Sequence, residues 1–246
     1  MRLLITNIGI LAGIDNHRKL RLSGKEMSQF ETLTDAWLLV EDGRFSKWGC
    51  MAAMPAEGIN ADQTVDAQGG CVMPSWCDPH THIVYAGSRE GEFVDKIRGL
   101  SYAEIAKRGG GILNSADLLH TFSEDELYRE AMHRAEEIMH KGTGCVEIKS
   151  GYGLTTEDEL KMLRVIRRIK ESTPLRIKST FLGAHAVGRG YTQADYVDLV
   201  VNEMIPEVGR EKLADFVDVF CDEGFFTPAE TERKYLRSEE RFSRNA

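Results

Sequence analysis

From about residue 71 onwards, short apolar runs alternate with segments that have the period of amphipathic helices. Buried parallel strands are near-continuous apolar runs, because helices cover both faces of their sheet. Repetition of strand and helix therefore predicts a parallel sheet, either a barrel or a doubly wound sheet. The predicted strands are residues 71–82, 145–149, 177–185 and 216–222.

Capping residues mark the helices between these runs. Ser123 and Glu126 have the spacing of a capping box, in which each side chain accepts a backbone N–H of the other residue. Thr156 and Glu159 repeat that spacing and predict the start of the next helix. A further helix is predicted from about Thr192. Apolar residues recur in each segment at the helical period, which predicts one buried face per helix.

The first 70 residues have a different character. Asp42-Gly43, the dipeptide most typical of a two-residue hairpin turn, separates two strand-like segments at 36–40 and 45–48. We therefore predict a small sheet domain over 1–70 and a strand–helix domain over 71–236. The polar residues 237–246 lack an apolar period.

Composition excludes several classes of protein. The net charge of −8 disfavours binding to nucleic acid or to an anionic membrane. No segment has the roughly 18 consecutive apolar residues that a membrane-spanning helix needs. The cysteines number five and form no C-x-x-C motif, which is typical of reduced thiols and predicts a cytoplasmic location.

The segment 78–82 (DPHTH) follows an apolar run. Because alternate residues of a strand point to the same face, His80 and His82 are predicted to project together. Two such imidazoles can bind one metal ion, which would lower the pKa of a bound water to about 7. The alternative is a pair of surface histidines at a strand end.

Three more residues follow predicted strand ends, where barrel enzymes place functional groups. Arg89 could grip a carboxylate with its guanidinium fork, or be a solvated surface group. Tyr152 lies between two glycines and could face a ligand, or pack in an ordinary loop. His185 could donate a hydrogen bond to a carbonyl or move a proton, or be a satisfied core histidine.

Seven segments together carry a specific resemblance. They are 78–82 (DPHTH), 85–90 (YAGSRE), 101–105 (SYAEI), 109–112 (GGGI), 147–154 (EIKSGYGL), 180–187 (TFLGAHAV) and 218–222 (DVFCD). The H-x-H motif alone indicates only the amidohydrolase superfamily. With the other segments, the chain resembles the imidazolonepropionase family from near residue 1 to about residue 235.

The resemblance implies a (β/α)8 barrel, here truncated to about four βα units, and a small β-sandwich built from both chain ends. It implies hydrolysis of the cyclic amide 4-imidazolone-5-propanoate to N-formimino-L-glutamate with zinc or iron. His80 and His82 match metal ligands. Arg89, Tyr152 and His185 match substrate-binding positions, with Arg89 as the partner of the propanoate carboxylate. A homodimer is a further expectation.

The family also has a third metal histidine and a catalytic glutamate near the fifth strand, and an aspartate at the end of the eighth. The four predicted strands do not include them, so the catalytic residues are unknown and we expect an inactive, poorly folding fragment. Residues 237–246 can be encoded by a nucleotide sequence that resembles a sequencing adapter, which predicts a non-native tail. The alternatives are another amidohydrolase, such as a deaminase or cyclic-amide hydrolase, and a non-catalytic half-barrel that binds a ligand.

Overall fold

The computed structural model describes residues 1–14, 21–101, 104 and 110–242. The fold is mixed α/β and divides into two compact units, Met1–Ser75 and Trp76–Ala246. Residues 102–103 and 105–109 lie outside the described residues and include parts of two resembling segments, 101–105 and 109–112, and residues 243–246 of the predicted tail lie outside them as well.

The first unit is built on a five-stranded sheet. Strand β1 pairs antiparallel with β2, and β2 pairs antiparallel with β3, while β4 and β5 both run parallel to β1. The predicted hairpin joins β2 to β3, and Asp42 and Gly43 have the positive φ angles of 50° and 76° that such a turn requires. The strands are β1 (Arg2–Ala12), β2 (Thr32–Glu41), β3 (Arg44–Cys50), β4 (Gln63–Asp66) and β5 (Cys71–Val72).

The boundary between the units falls at residues 75 and 76, later than the predicted 70 and 71. The single strand predicted over 71–82 is in fact two strands. The first, β5, pairs with β1 in the first unit, and the second, β6 (Trp76–Thr81), begins the second unit. Pro74 lies between them and has no backbone N–H to donate to a continuous ladder.

The second unit contains the predicted parallel sheet, with strand order β6-β7-β8-β9. All three pairings are parallel, so this part of the prediction is confirmed. The edge strands are β6 and β9, where Trp76 is 59% and Phe216 53% exposed. Besides β6, the sheet contains β7 (Thr143–Lys149), β8 (Arg176–Ala184) and β9 (Phe216–Val219).

Seven α-helices accompany this sheet in the described residues. Helices α3 and α4 pack against each other, and the apolar residues of α4 are buried in the main core. A π-helical turn, Val200–Met204, joins α5 to α6. The helices are α1 (Glu90–Ile97), α2 (Ile112–Thr121), α3 (Glu124–His140), α4 (Thr156–Ser172), α5 (Gln193–Leu199), α6 (Ile205–Glu211) and α7 (Pro228–Phe242).

The two predicted capping boxes have different outcomes. Ser123 and Glu126 form the reciprocal box at the start of α3, as predicted. Helix α4 is capped by Thr155 instead of Thr156, and the Thr155 hydroxyl accepts from the backbone N–H of Asp158 at 3.3 Å. Because the cap lies one residue earlier than predicted, Glu159 is not part of a capping box.

Replacement of the α3 cap gives a direct test of this boundary. Ser123→Ala removes the acceptor of the Glu126 N–H, so we expect the free energy of unfolding to fall by about 1 kcal/mol. Urea titration followed by circular dichroism measures the change. Ser123→Thr keeps the acceptor and is the matched control, so an equal loss in both variants would contradict the assignment.

Helix α7 continues past residue 237, where the predicted tail begins, and ends at Phe242. Ser238 is 7% exposed within that helix. The interpretation of residues 237–246 as non-native stays a prediction. Across the described part of the chain, none of the helices combines the length and apolar character needed to cross a bilayer.

Candidate metal and substrate site

The predicted site residues gather at one end of the parallel sheet. His80 lies in β6 and His82 directly follows it, Tyr152 lies in the loop after β7, and His185 follows β8. The carboxyl ends of adjacent parallel strands meet at the same edge of a sheet. Residues far apart in the sequence therefore form one cluster.

Ring contacts connect the cluster. The ring centroids of His80 and His82 are 5.7 Å apart, in an edge-to-face arrangement. His82 stacks on His185 with centroids 5.3 Å apart and planes inclined by 12°. Tyr152 contacts both rings, at 5.1 Å from His82 and 5.3 Å from His185. The structure thus brings together four of the five predicted side chains by direct contact.

His82 occupies an environment that disfavours its charged form. Burial, followed by the positive potential of His185, His80 and Lys149, lowers the pKa of His82 to about 4 from an ordinary value of 6.5. Its Nδ1 atom is buried and has no hydrogen-bond partner among the described residues. A neutral imidazole with an unsatisfied ring nitrogen is the form in which histidine binds a metal ion.

The lowered pKa predicts that the metal-free protein loses stability in mild acid. Between pH 6.5 and 4 the unfolded chain binds a proton at His82 that the folded chain does not, so stability falls as pH drops through this window, by at most about 3 kcal/mol. Urea titrations at pH 7.5 and 4.5 with a chelator measure the loss. His82→Gln should show a shallower pH dependence, and an unchanged slope would contradict the assignment.

His185 is held by the loop that carries Tyr152. Its Nδ1 lies 3.0 Å from the carbonyl oxygen of Gly151, which can only accept, so Nδ1 carries the proton. Burial lowers the pKa of His185, against the opposing effect of that hydrogen bond. The neutral ring therefore has its lone pair on Nε2. The edge of His185 also contacts Phe220, at a centroid distance of 5.9 Å.

Arg89 joins Tyr152 and His185 in the lining of a cavity of about 340 Å³, with Ile112, Phe220 and Phe225. Its guanidinium already pairs with Glu92, whose Oε2 atom accepts from Nε at 2.9 Å and from Nη2 at 2.5 Å. Glu92 also accepts from the backbone N–H of Gly111 at 2.9 Å. The cavity thus has a cation, a neutral histidine and aromatic walls.

An ion network whose charges act on His82 and His185 was missed by sequence reasoning. Lys149 is 5% exposed, and its Nζ donates to Glu147 at 2.9 Å and to Asp218 at 3.0 Å. Burial lowers the pKa of Lys149, but the hydrogen bonds to Glu147 and Asp218 outweigh it, so the pKa is raised overall. The spacing of Glu147 and Lys149 on one strand face was the available indication.

Glu159 was also missed, because its position after Thr156 matches a capping box. Its carboxylate accepts instead from the backbone N–H groups of Gly151, Gly153 and Leu154, at 2.8 to 3.1 Å. The glycine-containing loop between β7 and α4 is therefore fastened to the helix that follows it.

No group of three or more His, Cys, Asp or Glu side chains is arranged to hold a metal ion in the part of the chain that the structure describes. The five cysteines are free thiols. His80 and His82 are thus a two-imidazole pair, whereas catalytic zinc usually has three protein ligands.

Comparison with curated proteins finds close relatives. The imidazolonepropionase of Christiangramia forsetii is 52% identical over 235 residues, covering 95% of this chain and 57% of that protein. That of Flavobacterium psychrophilum is 53% identical over 236 residues, with the same shares of 95% and 57%. The resemblance to the imidazolonepropionase family is confirmed. The chain spans about 57% of the length of these two imidazolonepropionases. No protein-family model matches the chain.

Solved structures with a similar fold are more distant in sequence. A triazine hydrolase from Arthobacter aurescens has a TM-score of 0.65 at 14% identity, covering 97% of this chain and 50% of that one. A 5-methylcytosine deaminase from Klebsiella pneumoniae has a TM-score of 0.59 at 15% identity, covering 99% and 49%. An atrazine chlorohydrolase from Arthrobacter aurescens, solved with zinc, has a TM-score of 0.57 at 15% identity, covering 97% and 51%. At these identities the likeness shows the fold alone.

Proposed function

We propose that this chain supplies the substrate cavity and two metal ligands of an imidazolonepropionase, which opens the cyclic amide of 4-imidazolone-5-propanoate to N-formimino-L-glutamate. The observation that carries the proposal is the meeting of His80, His82, Tyr152 and His185 at one sheet end, with Arg89 on the same cavity. The imidazolonepropionase relatives agree with it.

The histidine pair fits a divalent ion, zinc or iron. The buried Nδ1 of His82 has no hydrogen-bond partner among the described residues, and a metal bond would satisfy a ring nitrogen. Two imidazoles bonded to one ion at about 2.0 Å each have centroids on the order of 5 to 6 Å apart, a range that includes the observed 5.7 Å. When bound, such an ion supplies Lewis acidity toward water and the ring carbonyl.

Arg89 and His185 supply complementary recognition. A propanoate carboxylate can replace Glu92 as the partner of the Arg89 fork, because both are planar carboxylates. Nε2 of His185 can accept a hydrogen bond from a ring N–H of the imidazolone, since its proton is on Nδ1. Tyr152 packs against the imidazole ring of His185 and would hold the ring of the substrate in plane.

The strand order supports the finer assignment of the fold. The four parallel strands are adjacent in the order in which they occur in the sequence, as in a barrel, whereas a doubly wound sheet reverses its order at a switch point. We therefore propose that the second unit is four βα units of a (β/α)8 barrel. The first unit would then be part of a composite β-sandwich.

With only two imidazole ligands in the described residues, the chain is expected to bind substrate-like ligands without turnover. Calorimetric titration with imidazole-4-propanoate tests recognition directly. Arg89→Met should weaken binding by roughly 10-fold or more through loss of a charge-assisted pair. Glu92→Gln should strengthen it, because the competing carboxylate is removed.

The matched ligand control is 4-ethylimidazole, which lacks the carboxylate and should bind equally to wild type and Arg89→Met. Guanine and hydantoin represent the alternative amidohydrolase substrates. Preferential binding of either over imidazole-4-propanoate would contradict the proposal and favour a deaminase or a cyclic-imide hydrolase.

A further inference from the structure

The carboxylate of Glu159 is enclosed within the second unit, with an exposed fraction of 0%. Its Oε1 atom accepts from the backbone N–H of Gly153 at 2.8 Å and of Leu154 at 3.1 Å. The N–H of Gly151 donates to both carboxylate oxygens, at 3.1 Å and 3.0 Å. Three amide groups of one short loop thus converge on a single buried side chain.

This arrangement is not required for starting helix α4. The Thr155 hydroxyl already caps that helix by accepting from the N–H of Asp158. An acidic residue in a first turn usually stays in water, where it interacts with the helix dipole without desolvation. Burying a carboxylate is costly unless hydrogen bonds replace its hydration. Burial raises the pKa of Glu159, and the hydroxyl of Ser150 and the loop amides oppose that rise.

The loop is packed so closely on α4 that it has little freedom. A Cβ atom added at Gly153 would lie 2.4 Å from the backbone nitrogen of Glu159. At Gly151, where φ is +107°, it would lie 2.9 Å from Nδ1 of His185. The backbone between β7 and α4 is therefore in contact with Glu159 on one side and with His185 on the other.

A continuous path of contacts leads from Glu159 to the cavity. The Glu159 carboxylate accepts from the backbone N–H of Gly151. The carbonyl oxygen of Gly151 in turn accepts from Nδ1 of His185 at 3.0 Å. Tyr152 lies between Gly151 and Gly153, both of which Glu159 binds. The two substrate-facing side chains thus depend on one loop conformation.

We propose that Glu159 is a positioning residue of the site, whose buried carboxylate shapes the 150–154 loop so that Tyr152 faces the cavity and the Gly151 carbonyl keeps the His185 proton on Nδ1. Glu159 itself does not touch the substrate. Calling the cavity a substrate site rests on the proposed function, whereas the positioning is measurable without it.

The test compares Glu159→Gln with Glu157→Gln in the full chain. Glu157 lies in the same first turn but is exposed, so its variant makes the same charge change without touching the loop. The first readout is the 15N spectrum of the histidine rings at pH 8, where neutral rings distinguish the two tautomers. The His185 signals are assigned by their absence in His185→Gln.

We expect wild type and Glu157→Gln to carry the proton on Nδ1 of His185. In Glu159→Gln the amide NH2 group faces a backbone donor, so the loop should loosen and the proton should divide between the two ring nitrogens. Amide exchange at Gly151 and Gly153 should accelerate by at least about 10-fold in that variant. A generally structural residue would change the melting temperature without changing the tautomer.

A folded Glu159→Gln with the wild-type tautomer and amide exchange would overturn the proposal, as would equal changes in Glu157→Gln. If Glu159→Gln fails to fold, amide exchange in the wild type decides. The amides of Gly151, Gly153 and Leu154 must then be protected at least about 100-fold relative to the exposed Gly190, and comparable rates would refute the proposal. Failure of the proposed function would appear as absent ligand binding and would leave these readouts unchanged.

Discussion

Replacing both His80 and His82 with alanine is expected to abolish specific zinc binding by the chain. The two imidazoles are the metal ligands proposed among the described residues, and removal of each should weaken zinc affinity by about 100-fold or more. Competition with a chromogenic zinc indicator at pH 7.5 measures the dissociation constant. The single variants should lie between wild type and the double variant, with His82→Ala retaining the exposed imidazole of His80.

His133→Ala is the matched control, because His133 lies exposed on α3 and outside the cluster. It removes one histidine without disturbing the sheet end, so its zinc affinity should equal that of wild type. Retention of wild-type affinity by the double variant would show that zinc binds elsewhere, for example at the exposed thiols, and would remove the metal from the proposed site.

Gly151→Ala is expected to cause a large loss of stability. The new Cβ would lie 2.9 Å from the carbonyl oxygen of Leu182 and from Nδ1 of His185, at a φ of +107° that L-residues avoid. Clash and backbone strain together should lower the free energy of unfolding by about 2 to 4 kcal/mol. Urea titration gives the loss, and calorimetry should show weaker binding of imidazole-4-propanoate.

The variant Gly190→Ala separates backbone strain from steric clash. Gly190 has a φ of +83°, but no atom lies within 4 Å of its added Cβ. Backbone strain alone should therefore cost about 1 to 2 kcal/mol at that position, with ligand binding unchanged. Equal destabilisation by the two substitutions would mean that the contact of Gly151 with His185 is unimportant.

The sequence predicts the location of a side chain well where that location depends on a strand end. His80, His82, Tyr152 and His185 all follow or end apolar runs, and the parallel sheet brings these ends together. The apolar run itself indicates a strand, and the side chain that follows the run is then expected at the carboxyl end of the sheet. Arg89 was placed on the cavity by the resemblance more than by its surroundings in the chain.

Roles that depend on tertiary contacts were not predictable. Glu159 occupies the third position after Thr156, and a capping glutamate and a loop-binding glutamate are identical in sequence. Only the one-residue shift of the cap to Thr155 separates them. Likewise, Lys149 meets Asp218 across the sheet, and no local pattern relates two residues so distant in sequence. Pro74, by contrast, was a readable break that the prediction of one strand overlooked.

The fastening of the loop by Glu159 has a consequence for the order of folding. The donors Gly151, Gly153 and Leu154 lie 8, 6 and 5 residues from Glu159, so closing these contacts costs little chain entropy. The link from Gly151 to His185 spans 34 residues, and the stacking of His82 on His185 spans still more of the chain. Contacts of low sequence separation form early in folding. The turn that presents Tyr152 would then be shaped within one strand–helix segment, and the later-arriving histidines would dock onto a surface already formed.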